Sequence, residues 1–545
     1  MILNLAEAQA DRVVDTGVCI IGAGIAGLIL ASRLRASGVP VTVLESGAAE
    51  SGGIDDPLNG VVSLGRPYLG ATKGRARGLG GTSTLWGGAL IPFLPSDLEA
   101  RRHVGVKPWP VQFDDVAPYV SEAEAIFGVG HDPYDELFAA AHNIAKQAPM
   151  GDPDFIARFA KWPAFKMRNV ATLLKTQLED DRDLNVHLNA TAIAFHCEPE
   201  GRLDSVRAVA PNGRSIEVKA GRFVFCAGAV ESTRLLLLLD SQNGGRVKDS
   251  SNALGRYFHD HVSLPAAELK TDDPAQLNRM AAFFFAGAAM RSLRFELSPQ
   301  AQEAEACASG FAHIAFQTDR PSGFDVLRNV LKGVQQQSGG RFLNAAALVR
   351  HVPYLARAGY WRVTHKQLLW PAPARYQLHI VAEQLPRSDS QIALAGETDR
   401  YGCQIATIDW RVGKGEADTI SAFARRYDAY WKRHGLDRMA ILRWNLPLHG
   451  DVEIPEDSFS DIYHPGGTTR MGDHARESVV DKHLDCFAVP NLSIAATSVF
   501  PSGASANPTM MLIAFALRLG DRLGRLWASE NASLRIGPRA LKPTR

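Results

Sequence analysis

The sequence VCIIGAGIAGL at residues 18–28, followed by VTVLE at residues 41–45, has the pattern of a strand, a glycine turn, a helix and a second strand. The helical pattern runs from Ile25 to Ser37, and Gly38 ends it. The second apolar run ends on an acidic residue. This stretch therefore predicts a βαβ unit of the Rossmann-like type.

Three glycines and one acid in this unit have the spacing of a dinucleotide site. Gly22 allows the tight turn, Gly24 lets the backbone approach a pyrophosphate, and Gly27 lets the helix pack closely on the strand. The helix N-terminus offers free N–H groups to phosphates. Glu45 lies where an acid can bind a ribose hydroxyl, which argues against a 2′-phosphate. The unit predicts FAD or NAD, and the alternative is a glycine-rich turn that binds nothing.

Length and charge limit the classes of function. The 545 residues suffice for two domains or one two-lobed unit, and 46% hydrophobic residues with 21% charged residues are typical of a globular protein. Lys+Arg 59 and Asp+Glu 58 leave a formal net charge of +1. This balance disfavours nucleic-acid binding and gives the whole chain no electrostatic attraction to anionic lipid.

Cysteine usage and the N-terminus indicate the compartment. The six cysteines are scattered without a C-x-x-C pair, as is typical of buried thiols in a reducing compartment. Residues 1–12 show no basic leader, twin arginine or cleavage site. No apolar run reaches the roughly 20 residues that a membrane-spanning helix needs. We expect a cytoplasmic protein with no integral membrane segment, and the alternative is export together with a separately targeted partner.

Two further glycine-containing segments follow the first unit. Residues 75–88 read RARGLGGTSTLWGG, a backbone that can lie flat against a ligand with one large apolar ring.

Leu184 to Phe195 alternates as a strand should, and two short strands around residues 211–214 form a hairpin. Residues 222–234 then repeat the strand, glycine turn and helix, which also occurs as an ordinary βα turn.

The region from Leu264 to Ser458 has fewer glycine turns and reads as mixed α+β. Helices are predicted over Leu343–Ala356 and Ala417–His434, and strands over Tyr376–Gln384 and Gln404–Trp410. Such a region would form the wall of a substrate pocket.

The C-terminal region contains YHPGGTTRMG at residues 463–472 and VFPSGASANPT at residues 499–509. Asn507 is a good N-cap and Pro508 a good first helical residue for an apolar helix over Met510–Leu519. A strand predicted over Asn491–Ala496 lies between these two segments.

A His-x-His pair earlier in the chain raises the question of a metal. His259 and His261 could ligate a metal from one strand face, but no third ligand is suggested nearby. We therefore expect no metal site.

Taken together, these motifs resemble the glucose–methanol–choline (GMC) oxidoreductases, a family of FAD-dependent alcohol-oxidising enzymes. The resemblance includes residues 18–45, the 80–88 loop, Ala227-Gly228-Ala229, Gly255-Arg256 with Asp260-His261, Glu383-Gln384-x-Pro386 and the His464 and Asn507 segments. It is closest to sugar-oxidising members such as pyranose oxidase and glucose 3-dehydrogenase. Most of the region from Leu264 to Ser458 is unmatched.

The resemblance implies FAD as the cofactor and a set of residues that bind it. The implied FAD-binding residues are Gly22, Gly24, Ile25, Ala26, Gly27, Glu45, Arg77, Gly80, Gly81, Thr82, Ser83, Trp86, Gly87, Gly88, Ala192, Ala227, Gly228, Ala496, Asn507, Pro508 and Thr509. Leu85 occupies the place of the histidine that attaches the flavin in some members, so non-covalent FAD is expected. Ala496 stands where many members have an acid near the cofactor.

The resemblance also implies the catalytic residues. His464 would remove the hydroxyl proton as a hydride leaves the carbinol carbon for flavin N5. Asn507 would hold the same hydroxyl, while its helix N-terminus stabilises negative charge on the reduced flavin. The simpler interpretations are a loop histidine and a plain N-cap.

These observations predict an α/β fold with a Rossmann-like FAD-binding domain from discontinuous segments, residues 1–100, 180–263 and 459–545. Residues 101–179 and 264–458 would form an α+β substrate-binding domain with a mainly antiparallel sheet, together with connecting segments. The predicted activity is oxidation of a sugar, glycoside or cyclitol, with O₂ or a separate redox partner as electron acceptor. The alternatives are a sterol-like or aromatic alcohol as substrate, and a non-catalytic flavin-binding subunit.

Overall fold

The computed structural model describes residues 1–50, 53, 55–142, 144, 148–336, 349–449 and 454–535. The strands are β1 (Ile2–Asn4), β2 (Arg12–Ile21), β3 (Val41–Leu44), β4 (Val61–Gly65), β5 (Phe155–Trp162), β6 (Leu184–Leu188), β7 (Thr191–Cys197), β8 (Leu203–Val209), β9 (Ser215–Phe225), β10 (His261–Lys270), β11 (Phe284–Ala286), β12 (Ala289–Leu297), β13 (Gly310–Gln317), β14 (Arg375–Glu383), β15 (Gln391–Thr398), β16 (Gln404–Trp410), β17 (Ile441–Trp444), β18 (Ser460–Asp461) and β19 (Leu492–Ile494). The helices are α1 (Ile25–Ala36), α2 (Gly70–Lys73), α3 (Ala117–Phe127), α4 (Glu136–Ala141), α5 (Val170–Leu173), α6 (Lys175–Asp180), α7 (Gly228–Gln242), α8 (Arg246–Ser250), α9 (Pro274–Ala281), α10 (Pro299–Glu305), α11 (Gly323–Gln336), α12 (Val352–His365), α13 (Lys414–Arg433) and α14 (Thr509–Arg535).

The first sheet contains the predicted βαβ unit at its centre. Its order is β1-β6-β3-β2-β9-β8-β7, with β19 paired to β9. The strands β1, β6, β3, β2, β9 and β19 run parallel, and β8 and β7 complete it as an antiparallel hairpin edge. Residues 18–21 of β2 and the strand β3 are buried and almost wholly apolar, as expected in a parallel sheet covered on both faces.

The C-terminal helix packs against the first helix of this unit. A Cβ at Gly520 of α14 would lie 2.7 Å from the Arg33 side chain, and one at Gly524 would lie 2.6 Å from Ser37. The glycines therefore permit close helix contact, and Arg33 also binds Asp521. The helix predicted over Met510–Leu519 is correct in place but extends to Arg535.

The second sheet is antiparallel, in the order β11-β12-β13-β14-β10-β17, with β5 on β12 and β18 on β10. One face lies under α13, where Phe155 and Phe295 contact Tyr427. A small third sheet contains β15, β16 and β4. The predicted fold class, a Rossmann-like α/β unit with an α+β region built on an antiparallel sheet, is confirmed.

Some local predictions need correction. The strand predicted from Leu184 to Phe195 is two strands, because Asn189 adopts a left-handed backbone with φ 53° and the chain turns there. Of the helix predicted over Leu343–Ala356, residues 343–348 lie outside the described residues. Within the described ranges, no helix combines the length and apolarity that crossing a bilayer requires.

Candidate active site and cofactor cleft

A long cleft opens at the carboxyl ends of β2 and β9. It encloses about 1390 Å³, its open mouth included. The predicted residues that line it are Gly22, Gly24, Ile25, Ala26, Glu45, Arg77, Gly81, Thr82, Ser83, Trp86, Ala192, Ala227, Gly228, Ala496, Pro508 and Thr509, together with His464. The first-turn amides of a helix have no intrahelical partner, and those of α1 lie at this cleft. The cleft therefore has the elements of a dinucleotide site.

Two glycines leave the space that a cofactor backbone would need. A Cβ at Gly24 or at Gly228 would meet no protein atom within 4 Å. By contrast, a Cβ at Gly22 would lie 2.7 Å from the Cys226 carbonyl, and one at Gly27 only 2.0 Å from the Gly22 carbonyl. Gly22 and Gly27 are thus required by packing, whereas Gly24 and Gly228 are open toward the cleft. The cradle fits a bound pyrophosphate.

Glu45 joins three loops at the edge of the cleft. Its Oε2 accepts a hydrogen bond from the Ala23 amide at 2.8 Å, and its Oε1 accepts from Gly47 at 2.8 Å and Gly78 at 2.9 Å. The residue is only 5% exposed. One acceptor position on Oε2 remains for a ribose hydroxyl. Glu45 therefore holds the loops together as well as facing the cleft.

Arg77 belongs to a buried charge network beneath the cleft. Its guanidinium donates to Glu231 at 2.8 Å and to the Ser46 hydroxyl at 2.9 Å. Arg234 binds the other oxygen of Glu231 at 2.9 Å. Burial alone would raise the pKa of Glu231, but the arginines lower it to about 2. Glu231 was not singled out from the sequence, because nothing local distinguishes it from other helical glutamates.

Of the predicted residues, Asn507 and four glycines are not among those that line the cleft; the glycines are Gly27, Gly80, Gly87 and Gly88. Cβ atoms at Gly80, Gly87 and Gly88 would face Asn169, Trp162 and Arg168 respectively, at 2.4–3.0 Å. Their role in the structure is to let the 80–88 loop pack on residues 162–169. Gly81 instead approaches the first unit, with its Cβ position 2.9 Å from Gly24 Cα.

His464 lies at the cleft between two polar side chains. Its Nδ1 is 3.3 Å from His261 Nδ1, and its Nε2 is 3.1 Å from Asn507 Nδ2. His261 Nε2 lies 2.7 Å from the Ala504 carbonyl, which can only accept, so this nitrogen carries the proton. Neutral His261 then accepts at Nδ1, so His464 donates from Nδ1. These contacts assign the lone pair of His464 to Nε2, beside Asn507.

The environment keeps both imidazoles neutral. Burial is the main cause that lowers the pKa of His261 to about 4, and the neighbouring Arg294 also lowers it, whereas the negative charge of Glu383 acts in the opposite direction. Burial, with contributions from His261 and Arg294, holds the pKa of His464 well below its usual range. Each ring is therefore a hydrogen-bonding base rather than a cation at neutral pH.

Asn507 is oriented by Arg294 from the second sheet. Arg294 Nη1 donates to Asn507 Oδ1 at 3.1 Å, so the amide nitrogen points toward His464. The helix α14 begins at Thr509, and among the described residues the Asn507 side chain bonds to no helix amide. The predicted N-cap interaction is therefore replaced by contacts to Arg294 and His464. Arg294 lies in the region whose role the sequence did not reveal.

A buried ion pair shapes the loop that precedes Asn507. Arg101 binds Glu383, and Glu383 Oε1 accepts from the amides of Gly503 at 3.1 Å and Ala504 at 3.0 Å. Burial would raise the pKa of Glu383, but Arg101 lowers it to about 2. The charged carboxylate thus fixes the Ala504 carbonyl that orients His261.

The His259-x-His261 pair does not act as a unit. His259 Nδ1 lies 3.0 Å from the Tyr257 carbonyl, whereas His261 belongs to the His464 cluster. Ligand atoms of Asp260, His261 and His464 do lie within 4.8 Å of one another. However, Asp260 already accepts from the amides of His261 and His464 and from the Tyr68 hydroxyl.

The sheet face opposite α13 carries a polar row beside this cluster. His313 pairs with His379 across β13 and β14, and their rings stack at 5.4 Å. Gln377 lies two residues before His379, on the same face. His313 Nδ1 and Gln377 Oε1 are buried and have no hydrogen-bond partner in the described part of the chain. Arg294 lies over Phe311 on this face, which connects the row to Asn507.

Comparison with known proteins agrees with this architecture. Residues 386–516 match the family described as GMC oxidoreductase, and residues 20–56 match the NAD(P)-binding Rossmann-like domain. A 2-methyl-1,2-propanediol dehydrogenase from Mycolicibacterium austroafricanum is 22% identical, over 94% of this chain and 95% of the relative. The fructose dehydrogenase large subunit of Gluconobacter japonicus is also 22% identical, over 94% of this chain and 99% of the relative. A 6'''-hydroxyparomomycin C oxidase from Streptomyces lividus is 21% identical, over 97% and 95%.

Solved structures with the same fold include two oxidases. A formate oxidase superposes with a TM-score of 0.58 at 14% identity, over 95% of this chain and 100% of that chain. Pyridoxine 4-oxidase from Mesorbium loti superposes with a TM-score of 0.54 at 17% identity, over 93% of this chain and 99% of that chain. The structures show the fold alone, whereas the family match over residues 386–516, the Rossmann-like match over residues 20–56 and the cleft with its glycine turns identify the chain as a member of the GMC oxidoreductases, and hence as an FAD-dependent enzyme.

Proposed function

We propose that this enzyme oxidises an alcohol group of a neutral polyhydroxylated substrate, such as a sugar, glycoside or cyclitol. The observation that carries the proposal is the lone pair of His464 Nε2 at the cleft, 3.1 Å from Asn507 Nδ2. A hydroxyl that replaces this direct contact can donate its proton to the lone pair of His464 Nε2 and accept a hydrogen bond from an N–H of Asn507. That pair of contacts suits an alcohol.

Two residues would share the chemistry of the hydroxyl. FAD, when bound, supplies the acceptor for the hydride that leaves the carbinol carbon. His464 Nε2 takes the hydroxyl proton, and the substrate becomes the carbonyl product. Asn507 Nδ2 holds the oxygen while Arg294 holds the amide in this orientation. Because the pKa of His464 is well below its usual range, the base is unprotonated and ready at neutral pH.

We propose that the residues lining the cleft hold FAD, with the open cradle at Gly24 and Gly228 around the pyrophosphate. The N-termini of α1 and α14 present positive dipole ends to the cleft. Leu85 is 46% exposed and has no nucleophilic atom, which supports non-covalent attachment. Acid precipitation should therefore release FAD into the supernatant, and flavin retained in the washed precipitate would contradict this attachment.

The polar row on the second sheet favours a polyhydroxylated substrate. His313 and His379 are neutral. The pKa of His313 is lowered to about 3, mainly by burial and further by the neighbouring His379 and Arg294. Burial also lowers the pKa of His379. Buried neutral donors and acceptors that have no hydrogen-bond partner among the described residues suit uncharged hydroxyl groups. An apolar sterol-like alcohol would leave them unpaired. The His464–Asn507 contact counts against a non-catalytic subunit.

We also propose the domain division predicted above, in which residues 1–100, 180–263 and 459–545 form the FAD-binding domain, and residues 101–179 and 264–458 form the substrate-binding domain and connecting segments. The two separate sheets support it. For location we propose the cytoplasm, supported by six unpaired cysteines, of which five are buried.

Anaerobic stopped-flow measurement of flavin bleaching tests the activity. We would compare sugars, glycosides and cyclitols with sterols, aromatic alcohols and simple alcohols. His464→Ala should slow bleaching by about 10²–10⁴-fold while FAD stays bound. The control His474→Ala removes an exposed histidine nearby and should behave as the wild type. Absence of bleaching by every alcohol, or an unchanged rate in His464→Ala, would refute the proposal. The rate at which O₂ reoxidises the reduced flavin is then compared with the rate for an artificial electron acceptor. Fast reoxidation by O₂ indicates an oxidase, and fast reoxidation by the artificial acceptor alone indicates a dehydrogenase.

A further inference from the structure

Basic charge is concentrated in one segment, although the whole chain is nearly neutral. Residues 326–382 contain eight Lys or Arg residues and no Asp or Glu, whereas the rest of the chain contains 51 basic and 58 acidic residues. The net charge of +1 therefore conceals +8 in this segment against −7 elsewhere. A segregated basic segment attracts an anionic surface even when the total charge does not.

The helix α12 within this segment is anchored to the protein by one face. Ala358 is buried, and the Tyr354 hydroxyl donates to the Leu369 carbonyl at 2.5 Å. The Arg362 guanidinium lies 3.6 Å from the ring centre of Phe285. These residues recur at four-residue spacing, so they mark one side of the helix.

The opposite face of α12 is apolar and exposed. This face contains four apolar residues at spacings of four, four and three residues: Val352, Ala356, Tyr360 and Val363. At 100° per residue, these spacings place them in one stripe about 80° wide. Val352 is 54% exposed, Tyr360 70% and Val363 79%. Val349, just before the helix, is 72% exposed. A surface helix normally presents polar residues on this side.

Cations surround the stripe. Arg357 lies beside it on the helix, and Arg350 and Lys366 lie at its two ends, all three exposed. An apolar stripe with an aromatic ring and flanking Lys or Arg residues is the composition of helices that lie in the headgroup region of a membrane. The helix needs no spanning length for this mode of binding.

We propose that the exposed face of α12 docks this enzyme on an anionic phospholipid surface. Val352, Tyr360 and Val363 would enter the headgroup boundary, while Arg350, Arg357 and Lys366 would contact lipid phosphates. A second copy of the chain is a poor occupant of this face, because the cations of its own α12 would be brought against Arg350, Arg357 and Lys366 and repel them. A folded acidic protein is also less suitable, because one stripe of four side chains falls short of the roughly 800 Å² per partner of a standard interface.

Vesicle co-sedimentation of the FAD-loaded full chain tests this docking. We expect binding to vesicles of phosphatidylcholine with 30% phosphatidylglycerol, weak binding to phosphatidylcholine alone, and release of the bound enzyme at high salt. Arg350→Gln with Arg357→Gln should weaken binding by about 25-fold, from roughly fivefold per cation. Val352→Ser with Tyr360→Ser and Val363→Ser should weaken it by more than about tenfold.

Matched variants control for general effects of charge and polarity. Arg182→Gln with Arg214→Gln removes two exposed cations elsewhere, and Val13→Ser with Leu64→Ser and Leu137→Ser removes exposed apolar groups elsewhere. Both should bind vesicles as the wild type does. FAD content, melting temperature and flavin reduction by a dissolved substrate should be unchanged in the α12 variants. No wild-type binding at low salt, equal losses in the control variants, or association only with an acidic protein would overturn the proposal.

Discussion

His261 Nδ1 lies 3.3 Å from His464 Nδ1, and the Ala504 carbonyl on the far side of His261 determines which of the two rings donates. The contact therefore acts on the tautomer of His464 rather than on the substrate. We expect His261→Leu to slow flavin reduction, by less than His464→Ala does, because it leaves the base present but unoriented. His261→Gln can still accept from His464 and should recover part of the rate.

A double-mutant cycle separates this effect from general damage. Stopped-flow reduction rates of His261→Leu, His464→Ala and the double variant should give a coupling energy of about 1–3 kcal/mol. Additive losses in free energy of activation would mean that His261 acts independently of His464. Thermal melts and FAD content of each variant show whether the fold is retained.

Asn507 has two neighbours that respond differently to its replacement. Asn507→Asp should keep the Arg294 contact but place a carboxylate beside His464, which raises the pKa of that histidine. Reduction should then slow at neutral pH and increase toward higher pH. Asn507→Ala leaves Arg294 Nη1 without this partner, so we expect a stability loss of about 1–3 kcal/mol as well as a slower rate.

These two outcomes are measured by rate–pH profiles and by thermal unfolding. A profile of Asn507→Asp identical to that of the wild type would contradict the placement of the carboxylate beside His464. Equal melting temperatures for Asn507→Ala and the wild type would show that the Arg294 contact contributes little to folding.

Two neighbouring glycines should respond in opposite ways to substitution. A Cβ at Gly24 would meet no protein atom within 4 Å and would project into the cleft, so Gly24→Val should fold but lose FAD. A Cβ at Gly27 would lie 2.0 Å from the Gly22 carbonyl, so even Gly27→Ala should impair folding. Circular dichroism reports the fold, and flavin absorbance reports the cofactor. Full FAD occupancy in Gly24→Val would contradict the placement of the pyrophosphate.

The features predicted correctly from sequence are those encoded locally. The βαβ unit depends on glycine spacing within residues 18–45, and its two strands do pair at Val18 and Val41. The single strand predicted through Asn189 was wrong, because a tertiary turn with φ 53° interrupts it. Periodicity alone does not report such a turn.

The partners of the candidate site were less accessible to sequence reasoning. Arg294 reaches Asn507 from a strand more than 200 positions earlier, and Arg101 reaches Glu383 across a similar distance. Only the folded sheets bring these charges together. The same holds for Asn507, whose helix-capping sequence pattern is common but whose amide is bound by side chains from other segments.

Several buried histidines should make the protein unstable in acid. Burial lowers the pKa of His187, His259 and His261 to about 4 and that of His313 to about 3, whereas the unfolded value is about 6.5. Below pH 6.5 the unfolded chain therefore binds protons that the folded chain does not, and the free energy of unfolding falls as pH falls toward 4. Burial raises the pKa of Asp97 and Asp260 to about 7, which opposes this trend with fewer groups.

His187 offers the cleanest test, because it lies on β6 away from His464. His187→Leu removes one of the depressed groups, so its melting temperature should fall less between pH 7 and pH 5 than that of the wild type. His196→Leu removes an exposed histidine on β7 and should follow the wild-type curve. Parallel curves for His187→Leu and the wild type would mean that His187 takes up its proton equally in both states, and that burial of this ring does not contribute to the acid sensitivity.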